Sequence, residues 1–418
     1  MLKLLLNPAQ IVTVDTKGEN FKRGPKLNEI NVVTGHSIII ENDIIKDLVP
    51  DSSIKNHSLF EIINVKDKTI LPGLVECHTH TAFAGSRADE FRMKLAGIHY
   101  EEISAKGGGI LSTVKAVRES SFEELINIIS SRIKYFISQG ITTLEIKSGY
   151  GLDFDNEIKL LHIINYLNEV FAIDIIPTFL GAHTVPPEYK EKRTGYIDLI
   201  INKMIPHIAK NKLAEFCDAF CEKTAYNAGE VDAIFSAAQK SGLGLKLHTE
   251  QFNSIGGLNT ALQKNAVSVD HLEVLTGNDI VKLAESDTVA VLLPGVSFFL
   301  NYGYAPARKL IDAGAVVALA TDYNPGSSNI ADLNLVMSLA CLKMNMTIEE
   351  TISAVTINAA GALNKNKYVG SIEPGKKADF AVLDTSEYAD IVYQVGKNIN
   401  IMTIKNGNII FNANGGLN

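Results

Sequence analysis

The sequence has little of what marks disulfide-stapled or nucleic-acid-binding proteins. It has only four cysteines in 418 residues, at Cys77, Cys217, Cys221 and Cys341, and none forms a CxxC pair. A chain this long does not need disulfide bonds to fold, so we expect reduced, buried thiols. No long basic block occurs and the formal net charge is −8 at pH 7. Nucleic acid and anionic membrane are therefore not the expected partners.

Long apolar runs are also missing. Residues 1–6 are apolar but too short for a signal peptide, and no later run is long enough to cross a bilayer. We therefore expect a cytoplasmic protein without a membrane partner. The composition, 46% hydrophobic and 21% charged, is ordinary for a soluble globular chain.

Both ends of the chain contain short alternating segments typical of β-strands. They are residues 10–14, 36–40, 44–49, 379–383 and 399–405, with a turn at Asn406-Gly407. We expect residues 1–68 and 370–418 to form one small composite domain, a β-sandwich built from both termini. Residues 69–369 would form the second domain.

The middle of the chain alternates strands with helical stretches, which predicts a parallel sheet. Eight candidate strands end in ILPGLVECHTH, ITTLEIKSGYG, IIPTFLGAH, CDAFCE, LKLHTE, VSVDHLE, VAVLLPG and VVALATD. The helical stretches between them include residues 122–139, 155–170, 188–209 and 229–241. The pattern predicts an α/β fold, a (β/α)8 TIM-like barrel, whose functional groups lie at the carboxyl ends of the strands.

Potential metal ligands stand at several of these strand ends. In His78-Thr79-His80, alternate residues of a strand face the same side about 7 Å apart, so both imidazoles can reach one ion. His248, His271 and Asp322 end the fifth, sixth and eighth strands. Each alone would more often be structural, but chance does not explain all of them at strand ends. Imidazoles with a carboxylate suit a divalent metal such as Zn²⁺ or Fe²⁺.

This pattern resembles the amidohydrolase superfamily, which has HxH on strand one, histidines on strands five and six and aspartate on strand eight. The segment GSIEPGKKADF at residues 370–380 resembles that superfamily's return into its small β-domain. The resemblance implies a metal-dependent hydrolase with one metal, held by His78, His80, His248 and Asp322. Two-metal members have a carbamylated lysine at the end of strand four. Here DAFCE ends that strand, although Lys147 and Lys223 leave a two-metal site open.

Four longer stretches resemble the imidazolonepropionase family. They are HTHTAFAGSR at 78–87, EIKSGYGL at 145–152, FLGAHTVP at 179–186 and TDYNPGS at 321–327. The family hydrolyses 4-imidazolone-5-propanoate to N-formimino-L-glutamate in histidine degradation, which implies attack of a metal-activated water on the ring lactam carbonyl. The implied substrate contacts are Arg87, Tyr150, His183, Asn324, Gly326 and Ser327.

The chemistry of these residues agrees with such a substrate. A guanidinium at Arg87 matches a carboxylate tail with two parallel hydrogen bonds, and Tyr150 offers a hydroxyl to the same end. Without the motif, a surface salt bridge would explain Arg87 and core packing would explain Tyr150. Likewise, a capped loop would explain His183, and Asn-Pro-Gly-Ser at 324–327 is ordinary turn chemistry.

Two residues are expected to move or attract protons. Asp322 can take the proton of the water and pass it to the leaving ring nitrogen, and His271 can hydrogen-bond the carbonyl oxygen. Two residues after the fifth strand, Gln251 and Glu250, are candidates to act beside His248. Related one-metal enzymes have His-x-x-Glu here, and Gln251 stands at the position of that glutamate, so we expect it to touch the ring. Glu250 is the alternative, a proton carrier that would face the same side as His248 if the strand continues.

Two other functions compete with this interpretation. A nucleobase or aminotriazine deaminase of the same superfamily would share the metal and barrel but does not need a carboxylate clamp at Arg87. A non-catalytic scaffold barrel would usually have lost metal ligands, which this chain keeps. The expected partners are a small molecule with a carboxylate tail and a second copy of the chain in a homodimer. The glycines at 107–109 lack a phosphate-loop signature and predict a flexible loop beside the site.

Overall fold

A computed structural model describes residues 2–98 and 108–417. The first seven strands are β1 (Leu2–Leu6), β2 (Gln10–Val12), β3 (Val32–Val33), β4 (His36–Glu41), β5 (Ile44–Pro50), β6 (Glu61–Asn64) and β7 (Thr69–Pro72). The next eight are β8 (Leu74–Glu76), β9 (Ile141–Lys147), β10 (Asp174–Ala182), β11 (Phe216–Cys221), β12 (Gly244–Thr249), β13 (Ser268–His271), β14 (Val289–Leu292) and β15 (Val317–Leu319). The last four are β16 (Phe380–Leu383), β17 (Asn400–Lys405), β18 (Asn408–Asn412) and β19 (Gly416–Leu417).

The α-helices follow the strands of the middle region and cover its outside. Their bounds are Ala88–Leu95, Ile110–Glu119, Phe122–Ser138, Phe154–Val170, Arg193–Leu199, Ile205–Asn211, Ala228–Lys240, Gly257–Gln263, Gly277–Ala284, Pro294–Leu300, Ala307–Ala313, Leu333–Met344, Ile348–Ala354, Ile357–Gly361 and Asp390–Tyr393. In the described part of the chain, none of these helices combines the length and apolar character that a bilayer crossing requires.

Strands from both termini build two small sheets packed face to face. One sheet has the order β5-β4-β1-β6 and the other the order β19-β18-β17-β16-β7-β2-β3. Their shared core is aliphatic and aromatic, and includes Leu5, Ile40, Ile70 and Phe380. The predicted composite β-sandwich is confirmed, and the seven-stranded sheet takes in β7, just past the proposed domain boundary at residue 69.

Strands β8 to β15 form a parallel eight-stranded sheet in chain order, which confirms the barrel. The apolar run at 70–75 is divided between β7 and β8, because Gly73 passes close to β9. A Cβ atom on Gly73 would lie 2.2 Å from Oγ1 of Thr142, so only glycine fits there. The barrel ring is completed beyond β8 and β15, where Asp322 N donates to His78 O at 3.1 Å and His80 N donates to Tyr323 O at 3.0 Å.

Local sequence explains where the helices begin and break. Ser121 and Glu124 form a capping box at the start of Phe122–Ser138, each side chain accepting a hydrogen bond from the other's backbone nitrogen. The helix predicted over 188–209 is interrupted: a π-helical turn, Ile200–Met204, separates Arg193–Leu199 from Ile205–Asn211. The break precedes Pro206, which has no backbone N–H to continue an α-helical ladder.

Candidate metal and substrate site

Four predicted metal ligands meet at the carboxyl ends of the barrel strands. Oδ1 of Asp322 lies 3.3 Å from Nε2 of His78 and 3.2 Å from Nε2 of His80. Nε2 of His80 lies 3.2 Å from Nε2 of His248. All four side chains are buried, so the nitrogens and the carboxylate face one enclosed point.

A second layer of carboxylates orients two of these imidazoles. Nδ1 of His78 lies 2.7 Å from Oδ2 of Asp270, and Nδ1 of His248 lies 3.0 Å from Oδ1 of Asp218. A carboxylate accepts hydrogen bonds, so each Nδ1 carries the proton and each Nε2 lone pair faces the cluster. Sequence reasoning missed both aspartates, although a carboxylate inside an apolar strand is a sign that a buried partner exists.

The donor set fits a divalent cation. Nε2 of His78 and Oδ1 of Asp322 are buried without a hydrogen-bond partner among the described residues. Burial lowers the pKa of His80 and of His248, which favours the neutral form that coordinates metal. Burial and Lys147 also oppose charge on His78, but Asp270 and Asp322 outweigh them and raise its pKa to about 9. A bound dication would replace the proton that these carboxylates attract.

The two lysines that left a two-metal site open are placed differently. Lys147 is fully buried, and its Nζ lies 2.6 Å from Oε1 of Glu145 and 2.9 Å from Oδ2 of Asp218. Burial lowers the pKa of Lys147, but these carboxylates outweigh burial and raise it above the ordinary value, so the amine stays protonated. Lys223 is exposed. The Lys147 ammonium is paired with carboxylates and Lys223 points to solvent, so one metal per chain stays our prediction.

His271 lies beside the cluster at the end of β13. Its ring centroid is 5.5 Å from that of His248 and 6.1 Å from that of His78. Its backbone has φ 85°, a left-handed conformation that a non-glycine residue rarely adopts without support. Nδ1 of His271 lies 3.7 Å from Oε1 of Glu273, so a carboxylate again stands behind the imidazole.

A cavity of about 520 Å³ opens over this cluster. It is lined by all seven predicted substrate residues, namely Arg87, Tyr150, His183, Gln251, Asn324, Gly326 and Ser327. The predicted groups His80, His248, His271 and Asp322 line it as well. The structure therefore brings three of the predicted metal ligands and the predicted substrate residues into one pocket.

The backbone favours Gln251 over Glu250 as the residue that faces the pocket. β12 ends at Thr249, and Glu250 follows with φ 55°, so the alternation of side chains stops there. Gln251 lines the cavity, whereas Glu250 is not among the residues that line it. The alternative that made Glu250 the proton carrier is not supported by this placement.

Arg87 reaches the pocket between an acid and a glycine. Its Nε donates to Oε2 of Glu90 at 2.8 Å, which also accepts from Nη2. A Cβ atom on Gly326 would lie 2.0 Å from Nη1 of Arg87, so a larger residue there would displace the guanidinium. Lys94 lines the same cavity and was missed. Lys94 is seven residues, or two helical turns, after Arg87, and this spacing could have indicated that the two side chains lie on the same face.

His183 and Tyr150 are held by the loop after β9. Nδ1 of His183 lies 2.9 Å from the carbonyl oxygen of Gly149, and burial lowers the pKa of His183 to about 3. The neutral ring must donate from Nδ1, which leaves Nε2 as an acceptor. The loop itself is fixed by the buried Glu157, which accepts from the backbone nitrogens of Gly149 and Gly151.

Asn324 mainly organises its own turn. Its Oδ1 accepts from the backbone nitrogens of Gly326 at 2.8 Å and Ser327 at 2.7 Å, and its Nδ2 donates to the carbonyl oxygen of Asp322 at 2.7 Å. The turn thereby connects Asp322, a predicted metal ligand, to Gly326, which lies against Arg87. Of the glycines at 107–109, Gly107 lies outside the described residues, and Gly109 N donates to Oε1 of Glu90 at 3.0 Å.

Comparison with known proteins identifies similar sequences over almost the whole chain. The model of the amidohydrolase family matches residues 69–410. The imidazolonepropionase of Geobacillus thermodenitrificans is 44% identical over 93% of this chain and 92% of its own length. That of Clostridium tetani is 40% identical over 98% of each chain.

Solved structures with the same fold are more distant in sequence. A zinc-bound adenosine deaminase from Xanthomonas campestris has a TM-score of 0.69 at 16% identity, covering 97% of this chain and 92% of its own. N-isopropylammelide isopropylaminohydrolase from Burkholderia multivorans has a TM-score of 0.72 at 19% identity and full coverage of both chains. At this identity the likeness extends to the fold alone.

Proposed function

This chain belongs to the amidohydrolase family and, within it, to the imidazolonepropionases, and from that membership we propose how its site works. It adds water across the lactam C–N bond of 4-imidazolone-5-propanoate and gives N-formimino-L-glutamate, a step of histidine degradation. The observation that carries this assignment is that one pocket is lined both by Arg87 and by His80, His248 and Asp322, three of the four candidate metal ligands. A hydrolytic centre and a carboxylate-binding cation are what this substrate requires.

The ring and the tail of the substrate are held by different residues. The guanidinium of Arg87 pairs with the propanoate carboxylate, and the hydroxyl of Tyr150 donates a hydrogen bond to the same carboxylate. Burial raises the pKa of Tyr150, so this hydroxyl keeps its proton. Gln251 and the neutral His183 contact the ring. The turn at Gly326 and Ser327 closes the other edge.

Hydrolysis then follows from groups at the strand ends. His78, His80, His248 and Asp322 would hold a divalent cation, zinc or iron, and its Lewis acidity would make water a nucleophile at neutral pH. Asp322 takes a proton from the attacking water and delivers it to the ring nitrogen. The water oxygen forms the new C–O bond as the C–N bond breaks. His271 hydrogen-bonds the carbonyl oxygen while negative charge develops on it.

The decisive experiment measures metal content and turnover on the same purified protein. We expect 4-imidazolone-5-propanoate to be consumed with a product one water heavier and with no ammonia released. A deaminase would release ammonia from an aminated ring, so the ammonia assay separates the two reactions. Metal-loaded protein that leaves the imidazolone unchanged would contradict the proposal. A homodimer and a cytoplasmic location stay predictions, for light scattering and cell fractionation to test.

A further inference from the structure

The side chain of Gln251 begins a hydrogen-bond chain that runs away from the pocket. Its amide nitrogen donates to the hydroxyl of Tyr302 at 3.3 Å, and that hydroxyl donates to Oε1 of Glu273 at 3.2 Å. The side chain of Glu273 is only 3% exposed, and its Oε2 has no hydrogen-bond partner among the described residues. The same carboxylate stands 3.7 Å from Nδ1 of His271. The chain therefore links the ring-contacting amide to the strand end that carries the histidine.

The chemistry of the three groups sets the direction of each hydrogen bond. The Tyr302 hydroxyl gives its single proton to Oε1 of Glu273, which accepts it. Burial and the nearby Glu273 raise the pKa of Tyr302, which keeps that proton on the hydroxyl. Because this proton is donated to Glu273, the hydroxyl oxygen of Tyr302 accepts a hydrogen bond from the amide nitrogen of Gln251. The amide NH₂ thus faces Tyr302 and the amide oxygen is left to face the ring.

This direction matters because a glutamine amide has two ends of nearly the same size. Rotated by half a turn, Gln251 would present a donor to the ring instead of an acceptor, and shape alone does not choose between them. A buried polar group that meets the wrong partner on a substrate costs affinity, which makes the orientation a determinant of specificity.

We propose that Glu273, acting through Tyr302, is a positioning residue that fixes the Gln251 amide with its oxygen toward the substrate ring. The pocket then selects a ring that presents an N–H at this point, as a lactam does. This inference rests on the proposed function and adds to it the feature of the ring that is recognised. Neither Glu273 nor Tyr302 touches the substrate in this arrangement.

The test uses two substrates, 4-imidazolone-5-propanoate and its analogue methylated on the lactam nitrogen, which lacks the donor. We compare kcat/KM for both with metal-loaded wild type, Tyr302→Phe and Glu273→Gln. The preference for the lactam should fall by about threefold to tenfold in each variant, the value of one hydrogen bond, with metal content unchanged. The steric cost of the methyl group is common to all proteins and cancels in this comparison.

Matched variants separate this role from general packing. Tyr304→Phe removes the hydroxyl of a nearby tyrosine that packs against the barrel core and is not part of the Gln251–Tyr302–Glu273 hydrogen-bond chain. This variant should keep the wild-type preference for the lactam over its methylated analogue. The Tyr302→Phe/Glu273→Gln double variant should lose no more preference than either single variant, because both act on one amide.

An unchanged preference in folded, metal-loaded Tyr302→Phe and Glu273→Gln overturns the proposal, and N–H recognition then belongs to His183. If Tyr302→Phe does not fold, Glu273→Gln alone decides. If wild type hydrolyses neither compound, the proposed function fails. Calorimetric binding of the two compounds to wild type and Glu273→Gln then still tests the amide orientation: a preference reduced in the variant supports it, and an equal preference overturns it.

Discussion

The main-chain nitrogen of Asp322 donates a hydrogen bond to the main-chain oxygen of His78 at 3.1 Å. The neighbouring bond, from His80 N to Tyr323 O, also joins the first and last strand ends of the barrel. The residues that complete the ring are therefore the proposed metal ligands or adjoin them. A backbone shift at this seam would move ligands from two strands at once.

Removing a ligand should remove metal and activity together. We expect about one metal ion per wild-type chain, and almost none in His80→Ala or His248→Ala, because a cluster that lacks one ligand binds metal weakly. Elemental analysis with a turnover assay measures both. His162→Ala, an exposed histidine on Phe154–Val170, is the control and should keep its metal. A value close to two ions per active chain would contradict the single site.

The carboxylates behind the ligands should tune metal affinity. Asp270→Asn and Asp218→Asn keep the shape of the side chain but remove the charge that orients His78 and His248. We expect affinity to fall by about 10- to 100-fold in each variant. Competition with a chelator of known affinity measures this loss. Affinity equal to that of wild type would mean that packing alone holds the imidazoles.

His271 should act beside the metal rather than on it. We expect His271→Ala to retain its metal and to lose on the order of 10²-fold in kcat, because a hydrogen bond to the developing charge disappears. Elemental analysis of the same sample decides between the two roles. A variant that loses its metal would show that His271 is a ligand.

Arg87 should recognise the tail of the substrate. Arg87→Met should raise KM for 4-imidazolone-5-propanoate roughly ten- to a hundred-fold and leave the rate on a tail-less imidazolone nearly unchanged. Gly326→Ala should do the same, because the new methyl group occupies the place of Nη1. Arg92→Met is the control, since Arg92 is exposed on the helix Ala88–Leu95, which begins just after Arg87. Equal losses on both substrates would mean that Arg87 is structural.

The cysteines should react slowly in the native protein. Burial raises the pKa of Cys341 to about 11 and raises the pKa of the fully buried Cys77 and Cys217 above the ordinary value. Only the thiolate is alkylated, so labelling of Cys341 by iodoacetamide should be slow at pH 8 and increase as the pH rises toward 11. Mass spectrometry locates the label, with denatured protein as the control. Rapid labelling of Cys77 or Cys217 in folded protein would show that the barrel opens.

The eight barrel strands could be predicted because each is a short apolar run that ends in polar residues. The division of the first apolar run into β7 and β8 at Gly73 could not be predicted, because it depends on the approach of Thr142 from another strand. The candidate metal ligands could be proposed for the same reason as the strands: they stand where the apolar runs stop. The orientation of Gln251 was beyond sequence reasoning, because it depends on the left-handed backbone at Glu250 and on a contact with the distant Tyr302.

The pairing of β7 with β16, which sets Ile70 beside Val382, has a consequence for synthesis on the ribosome. The first strands of the chain emerge early, but the strands that complete their sheet are made only after the whole barrel. Until then β7 has an unpaired edge and an apolar face without its partner, the state that invites aggregation or chaperone binding. A nascent chain stopped before residue 380 should therefore need chaperone protection at its oldest end.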